Sequence, residues 1–266
     1  MLGIDSIADL TGASFPDSAA ERLRVALLPS FHPDMLIDVE LQPGGGCEVA
    51  VVSRNRSTGS TGKPWVELEE CSREAGAALR QTIDVIVERG VFGEKKQVGL
   101  DGMTVIGELR TPGWSLRRFE SWSPRPGSLG HAYAKAFYDF AAAHVAAERV
   151  QVGLEQIHVY LDLGLPLKKL AETPGRVRIF GSLSSQAEAE LRSALRSIAS
   201  HSPVIIDMSN FDNMGTILYP VFRDFLKRKG RTAWLASDRA ASQLSEIGVP
   251  RGSIFADLAS ARRAVL

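Results

Sequence analysis

The first 150 residues change their hydrophobic period three times. Leu23 to Leu28 and Met35 to Leu41 are apolar-rich runs separated by the turn Pro29-Ser-Phe-His-Pro-Asp, and each predicts a strand. Gly44-Gly-Gly breaks the chain, and Cys47 to Ser53 predicts a third strand. A polar loop, Arg54 to Pro64, leads to Trp65-Val-Glu-Leu-Glu-Glu, where apolar and acidic positions alternate. This spacing predicts an antiparallel meander. From Glu74 to Arg89 the period becomes helical, with Ala78, Leu79, Ile83, Ile86 and Val87 recurring before the stop at Gly90. Met103 to Leu109 and Ser115 to Trp122 predict two more strands, and His131 to Ala147 a further helix. The opening segment to about Glu21, with Ser18 ahead of an Ala-Ala-Glu-Arg run, predicts a short arm or a single helical turn.

After Gly175 strands and helices alternate. Val177 to Phe180, Pro203 to Met208 and Arg231 to Ala236 predict strands; Pro203 to Met208 is a continuous apolar run, as a buried parallel strand requires. Gln186 to Ser200, Met214 to Lys229, Asp238 to Ile247 and Ala256 to Val265 predict helices. In the second of these, Ile217, Leu218, Val221, Phe222 and Phe225 form the expected core face. Its basic end, Arg223 to Arg231, suits a helix C-terminus without any anionic partner. The pattern predicts an α+β N-terminal domain with an antiparallel sheet over 1–148, a connecting segment over 149–175 that is partly helical, and an α/β domain over 176–266.

Residues of the last third carry a family likeness. Arg176-Val-Arg-Ile-Phe-Gly-Ser-Leu, an amphipathic helix, then Val204-Ile-Ile-Asp-Met-Ser-Asn resembles the opening of STAS domains of the anti-sigma-factor-antagonist type. Lys229 to Leu235 resembles the family's glycine-then-strand step, and Ile254 to Ala261 its closing helix. The resemblance implies a non-catalytic regulatory module that binds another protein through the loop and helix after Asp207. Asn210, Asp212, Asn213, Thr216 and Tyr219 are the expected contact residues. Phosphorylatable members carry a serine or threonine where this chain has Asn213, which has no hydroxyl, so the usual phospho-gate is not expected. Thr216 sits one position too late for that role, and Asp212 and Asn213 also suit plain helix N-capping. The N-terminal part resembles uncharacterised bacterial proteins with the ordered pattern Phe31-His32-Pro33, Gly99-Leu100-Asp101-Gly102 and Trp122-Ser123-Pro124.

Charge changes this picture little. Lysine plus arginine and aspartate plus glutamate number 31 each, a balance that removes the argument for nucleic acid. The first ten residues carry acids where a signal peptide needs bases, and no run approaches the roughly 18 apolar residues of a membrane span, so a cytoplasmic protein is expected. Cys47 and Cys71 are too few for a metal knuckle; in that compartment two reduced, buried thiols are expected, with a disulfide as the alternative.

No catalytic or cofactor set emerges. Ser57 to Lys63 follows a strand but lacks the first glycine of a phosphate loop, and Pro64 replaces its hydroxyl residue. His32, His131, His144, His158 and His201 show no metal-ligand spacing. Trp114, Trp122, Arg117 and Arg118 suit either half-buried sheet aromatics or a partner patch. Asp101 and Glu108 form a candidate carboxylate pair, but Asp101 between Leu100 and Gly102 better suits a turn, as does His32 between Phe31 and Pro33. Two further functions stay open: an immunity or antitoxin protein that blocks a toxin effector, and an enzyme in the N-terminal domain using groups such as His32 and Asp101.

Overall fold

The computed structural model describes residues 20–54, 64–93, 99, 101–113, 116–198, 202–228 and 230–266. The expectations for Ser18, Ser57 to Lys63, Leu100, Trp114, His201 and Lys229 lie outside the described residues. The chain divides into two units, 1–162 and 163–266.

The first unit is built on a six-stranded antiparallel sheet: β1 (Glu21–Pro29), β2 (Asp34–Leu41), β3 (Cys47–Arg54), β4 (Trp65–Cys71), β5 (Met103–Arg110) and β6 (Arg117–Trp122). The strand order is β4-β3-β2-β1-β5-β6. Leu23, Val25 and Leu27 align with Val39, Ile37 and Met35 on one side of β1 and with Leu109, Gly107 and Val105 on the other. That apolar face packs on α1 (Arg73–Glu88), α2 (Leu129–His144) and α3 (Glu148–His158). Serines cap the first two helices: Ser72 accepts from the Ala75 amide and Ser128 from the His131 amide.

Tyr133 of α2 fixes the sheet at its centre. Its hydroxyl donates to the Glu108 carbonyl at 2.9 Å, and its ring meets Phe119 edge-on with centroids 4.9 Å apart. Phe119 lies over Gly107, opposite it in register, where any Cβ would collide with the ring. Gly107→Ala is therefore expected to cost about 1–3 kcal/mol by forcing Phe119 off Tyr133. A chemical-denaturation midpoint equal to wild type would sink that account.

The opposite face of the sheet holds charge. Arg24 aligns with Asp38 on β2 and with Glu108 on β5, and Glu108 aligns with Arg118 on β6. Arg24 Nε lies 3.0 Å from Asp38 Oδ1, and Arg22 reaches both Asp38 and Glu40. Burial pushes the Asp38 and Glu108 carboxyls above their ordinary range, against the pull of these arginines. Beyond the row lies a small apolar cluster of Ala26, Leu28, Leu36, Val52 and Ile106. Both faces of β1, β2 and β5 are thus buried, so these strands show no alternation of exposure.

Cys47 and Cys71 align across β3 and β4 with Cα atoms 5.1 Å apart and form a disulfide. This corrects the expectation of reduced thiols: the compartment argument carried no information about register, and register brings the two sulfurs together.

The second unit carries a mixed sheet of β7 (Leu167–Leu170), β8 (Gly175–Ile179), β10 (Val204–Met208), β12 (Thr232–Ala236) and β13 (Ile254–Phe255), in the order β13-β12-β10-β8-β7. β7 runs antiparallel to β8, and the other pairs are parallel. The short strands β9 (Gly181–Leu183) and β11 (Phe211–Met214) pair with each other in parallel. The helices are α4 (Glu188–Arg196), α5 (Tyr219–Leu226), α6 (Asp238–Ile247) and α7 (Leu258–Val265). Ile206, Met208 and Trp234 join Leu191, Leu195, Phe222 and Leu244 in the larger core, against α4, α5 and α6. On the other face Ile205, Ala233 and Leu235 meet Ala261 and Val265 of α7.

The segment 149–175, expected as a connection, divides between the units. Its first part lies in α3, and Leu167–Leu170 is an outer strand of the second sheet. No helix among the described residues is long and apolar enough to cross a membrane.

Candidate functional site

The turn that follows β10 rests on a buried carboxylate. Asp207 is fully buried on the α7 face, since β10 turns its alternate residues Val204, Ile206 and Met208 into the larger core. One Asp207 oxygen accepts from the Ser209 amide at 3.0 Å and the Ser209 hydroxyl at 2.7 Å. The other accepts from Arg176 Nε at 3.0 Å and Nη2 at 2.5 Å. Arg176 also reaches Glu172, which takes Arg262 of α7 at 2.8 Å. A continuous chain of ion pairs thus ties α7, the β7–β8 connection and the turn together. Burial, the largest single influence on the Asp207 carboxyl, pushes its pKa up; Ser209 and Arg176 together outweigh it and hold the group below its ordinary value.

Above this support the chain displays the residues expected to meet a partner. Asn210 forms the turn, and its carbonyl accepts from the Gly181 amide at 2.8 Å. Asp212 and Asn213 lie in β11, not at a helix start, so neither caps a helix. The helix α5 begins at Tyr219 after a 3-10 turn over Thr216–Leu218, with no side-chain cap. This corrects the helix expected from Met214: pairing of β11 with β9 holds that stretch extended. Asn213 is exposed and donates to the Ser182 hydroxyl at 3.1 Å. Gly215 and Thr216 are also exposed.

Tyr219 is placed differently. It is buried, and its hydroxyl donates to Glu246 on α6 at 2.9 Å, so it fastens α5 to α6. Ile217, expected in the core face of a helix, is instead 58% exposed beside Thr216. The 3-10 geometry turns it out while Leu218 turns in. The structure thus brings Asn210, Asp212, Asn213 and Thr216 onto one short stretch, withdraws Tyr219 and adds Ile217. Sequence periodicity missed Ile217 because Phe211, Met214, Ile217 and Leu218 happen to fall at helical intervals.

The first unit gathers its three sequence patterns at one end of the sheet. The Ser30 amide donates to the Gly102 carbonyl at 2.8 Å, the Ser30 hydroxyl accepts from the Gly102 amide at 3.1 Å, and the Ser123 hydroxyl accepts from the Met103 amide at 3.2 Å. Gly99 lies so close to the Trp122 indole that a Cβ there would overlap it. Ser123 adopts φ 38°, the left-handed region. His32 shares a 2.9 Å hydrogen bond with Tyr160, while Asp101 is exposed. The perturbed carboxylates, Asp38 and Glu108, belong to the ion-paired row and not to a set with His32 and Asp101. Glu108 is buried in β5 between Arg24 and Arg118, which answers the expectation of a carboxylate paired with Asp101.

Among the described residues no group of three or more His, Cys, Asp or Glu side chains is placed to hold a metal ion. No protein-family model matches this chain, and no curated protein matches it.

Proposed function

We propose that the second unit is a STAS-like regulatory module that binds another protein through the stretch from Asn210 to Ile217. The observation that carries this reading is the rigid display of that stretch. Exposed Asn213 on the β9–β11 pair and exposed Thr216 and Ile217 on the 3-10 turn after it stand above the turn that Asp207 fixes, with Asn210 and Asp212 half-buried beside them. Exposed apolar side chains set among polar ones on a well-supported segment suit protein recognition. The arrangement of one antiparallel strand followed by parallel strands with helices on both faces accords with the family likeness of Arg176 to Leu183 and Val204 to Asn210. Asn213 at the outward position offers no hydroxyl, so binding on this reading is constitutive and not phospho-gated.

The test compares wild type with Asn213→Arg/Ile217→Arg in affinity capture from the native host. Both side chains face outward, so the variant's thermal melt should match wild type. One stoichiometric protein partner retained by wild type and lost by the variant is the expected result. Thr216→Ala should retain it. A partner held equally by the double variant would overturn the reading.

A further inference from the structure

A cavity of about 320 Å³ opens between α4 and α5 of the second unit, and none of its lining residues belongs to the Asn210–Ile217 stretch. Its apolar lining comes from Leu195, Ile198, Val221 and Phe225. Its charged lining comes from Arg192, Arg196, Lys227 and Arg228, with Asp224 as the acid among the described lining residues. Asp224 is occupied within the protein: Arg192 Nη1 and Lys227 Nζ each lie 2.9 Å from one of its oxygens. Arg228 is fixed by Thr232 Oγ1 at 3.1 Å and the Ser202 carbonyl at 2.9 Å, with its guanidinium 5.1 Å from the Phe225 ring centroid. The lining therefore carries four cations against one acid; Arg192 is also held by Glu188 of α4 at 3.0 Å, which leaves Arg196 and Lys227 to face the opening.

Cations near helix C-termini complement the macrodipole, and that accounts for their sign. It does not account for the apolar space between them. Adjacent helices in an ordinary core interdigitate and leave few voids larger than a water molecule. Here Leu195, Val221 and Phe225 are each under 10% exposed, yet they border open volume. The cavity lies at the small end of the range for ligand sites, which suits one narrow apolar body and not a two-chain lipid.

We propose that this cavity binds a single-chain amphiphilic anion, of which a medium-chain carboxylate is the simplest. The chain lies along Leu195, Ile198, Val221 and Phe225, and the carboxylate meets Arg196 and Lys227 at the rim. Arg196 ends α4 and is exposed, and Lys227 has hydrogens to spare beyond its bond to Asp224.

The test is isothermal titration of the full chain with hexanoate, octanoate and decanoate at fixed ionic strength. Affinity should rise about fourfold per added CH₂ until the cavity is full. Decanol should bind about tenfold more weakly than decanoate, and decyltrimethylammonium should show no saturable binding. Arg196→Glu/Lys227→Glu, which changes two outward-facing side chains, should weaken decanoate about tenfold and leave decanol nearly unchanged. Val221→Trp, with its fold checked by circular dichroism, should remove both by filling the space. Absence of saturable decanoate binding into the millimolar range would overturn the proposal. So would equal binding of the cation, or decanoate binding that survives both variants.

Discussion

Arg176→Met is expected to destabilise the second unit by about 3–5 kcal/mol, because it leaves the fully buried Asp207 carboxylate with Ser209 and the more distant Arg178, 3.9 Å away, in place of its two-pronged guanidinium partner. Hydrogen-exchange mass spectrometry resolves the effect by unit: protection should fall in β8, β10 and β12 and stay unchanged in β1 and β5. A pH series separates charge from packing. The folded pKa of Asp207 lies below its unfolded value of about 4. Its contribution is therefore complete above that value and is lost as pH falls through the folded pKa. In the variant the carboxylate loses its strongest cation, so the penalty should shrink on acidification. A penalty independent of pH would mean that only packing was lost. Arg176→Met/Asp207→Leu should recover much of the stability, since no buried charge remains.

Asp38 and Glu108 work in the opposite sense. Their folded pKa values are raised, so their contribution to the first unit is full below the unfolded values and is lost as pH rises through the folded ones. Acid therefore weakens the second unit through Asp207 without weakening the first through this pair.

The second large effect concerns Cys47 and Cys71. The disulfide closes a loop with a sequence separation of 24, and its reduction is expected to cost about 3 kcal/mol of the first unit's stability. The loss should concentrate at β4, an outer strand of the sheet that exposes Val66 and Leu68. Urea midpoints with and without a phosphine reductant measure it, with Cys47→Ala/Cys71→Ala as a control that the reductant should not shift. If reduction left the wild-type midpoint in place, the disulfide would not be a stabilising staple.

Local signals were legible in the sequence where a single element sets its own pattern. The period of Leu79, Ile83 and Ile86 marks α1, and both ends of α6, Asp238 and Ile247, are legible because Ser237 caps the helix and Gly248 ends it in the left-handed region. What long-range pairing decides was not legible. Only the partnership with β9 makes an extended strand of Phe211–Met214, and nothing in that stretch announces it. The helix α3 starts at Glu148 behind Ala147, which offers no side-chain cap, and the Lys168-Lys169 core of β7 is polar, so neither element announces itself. The candidate surface was located by the order of motifs around Asp207. Its members could be sorted only by seeing which side chains the 3-10 turn presents outward.

The placement of Leu167–Leu170 governs how the C-terminal half can be handled as a separate polypeptide. A fragment cut at Arg176 would start inside β8 with the Lys168–Arg178 and Leu170–Arg176 pairings gone. The row of N–H and C=O groups left bare would invite strands from other molecules. A fragment beginning at Leu163 carries its own cover for that row, and so keeps the half-molecule from recruiting its neighbours.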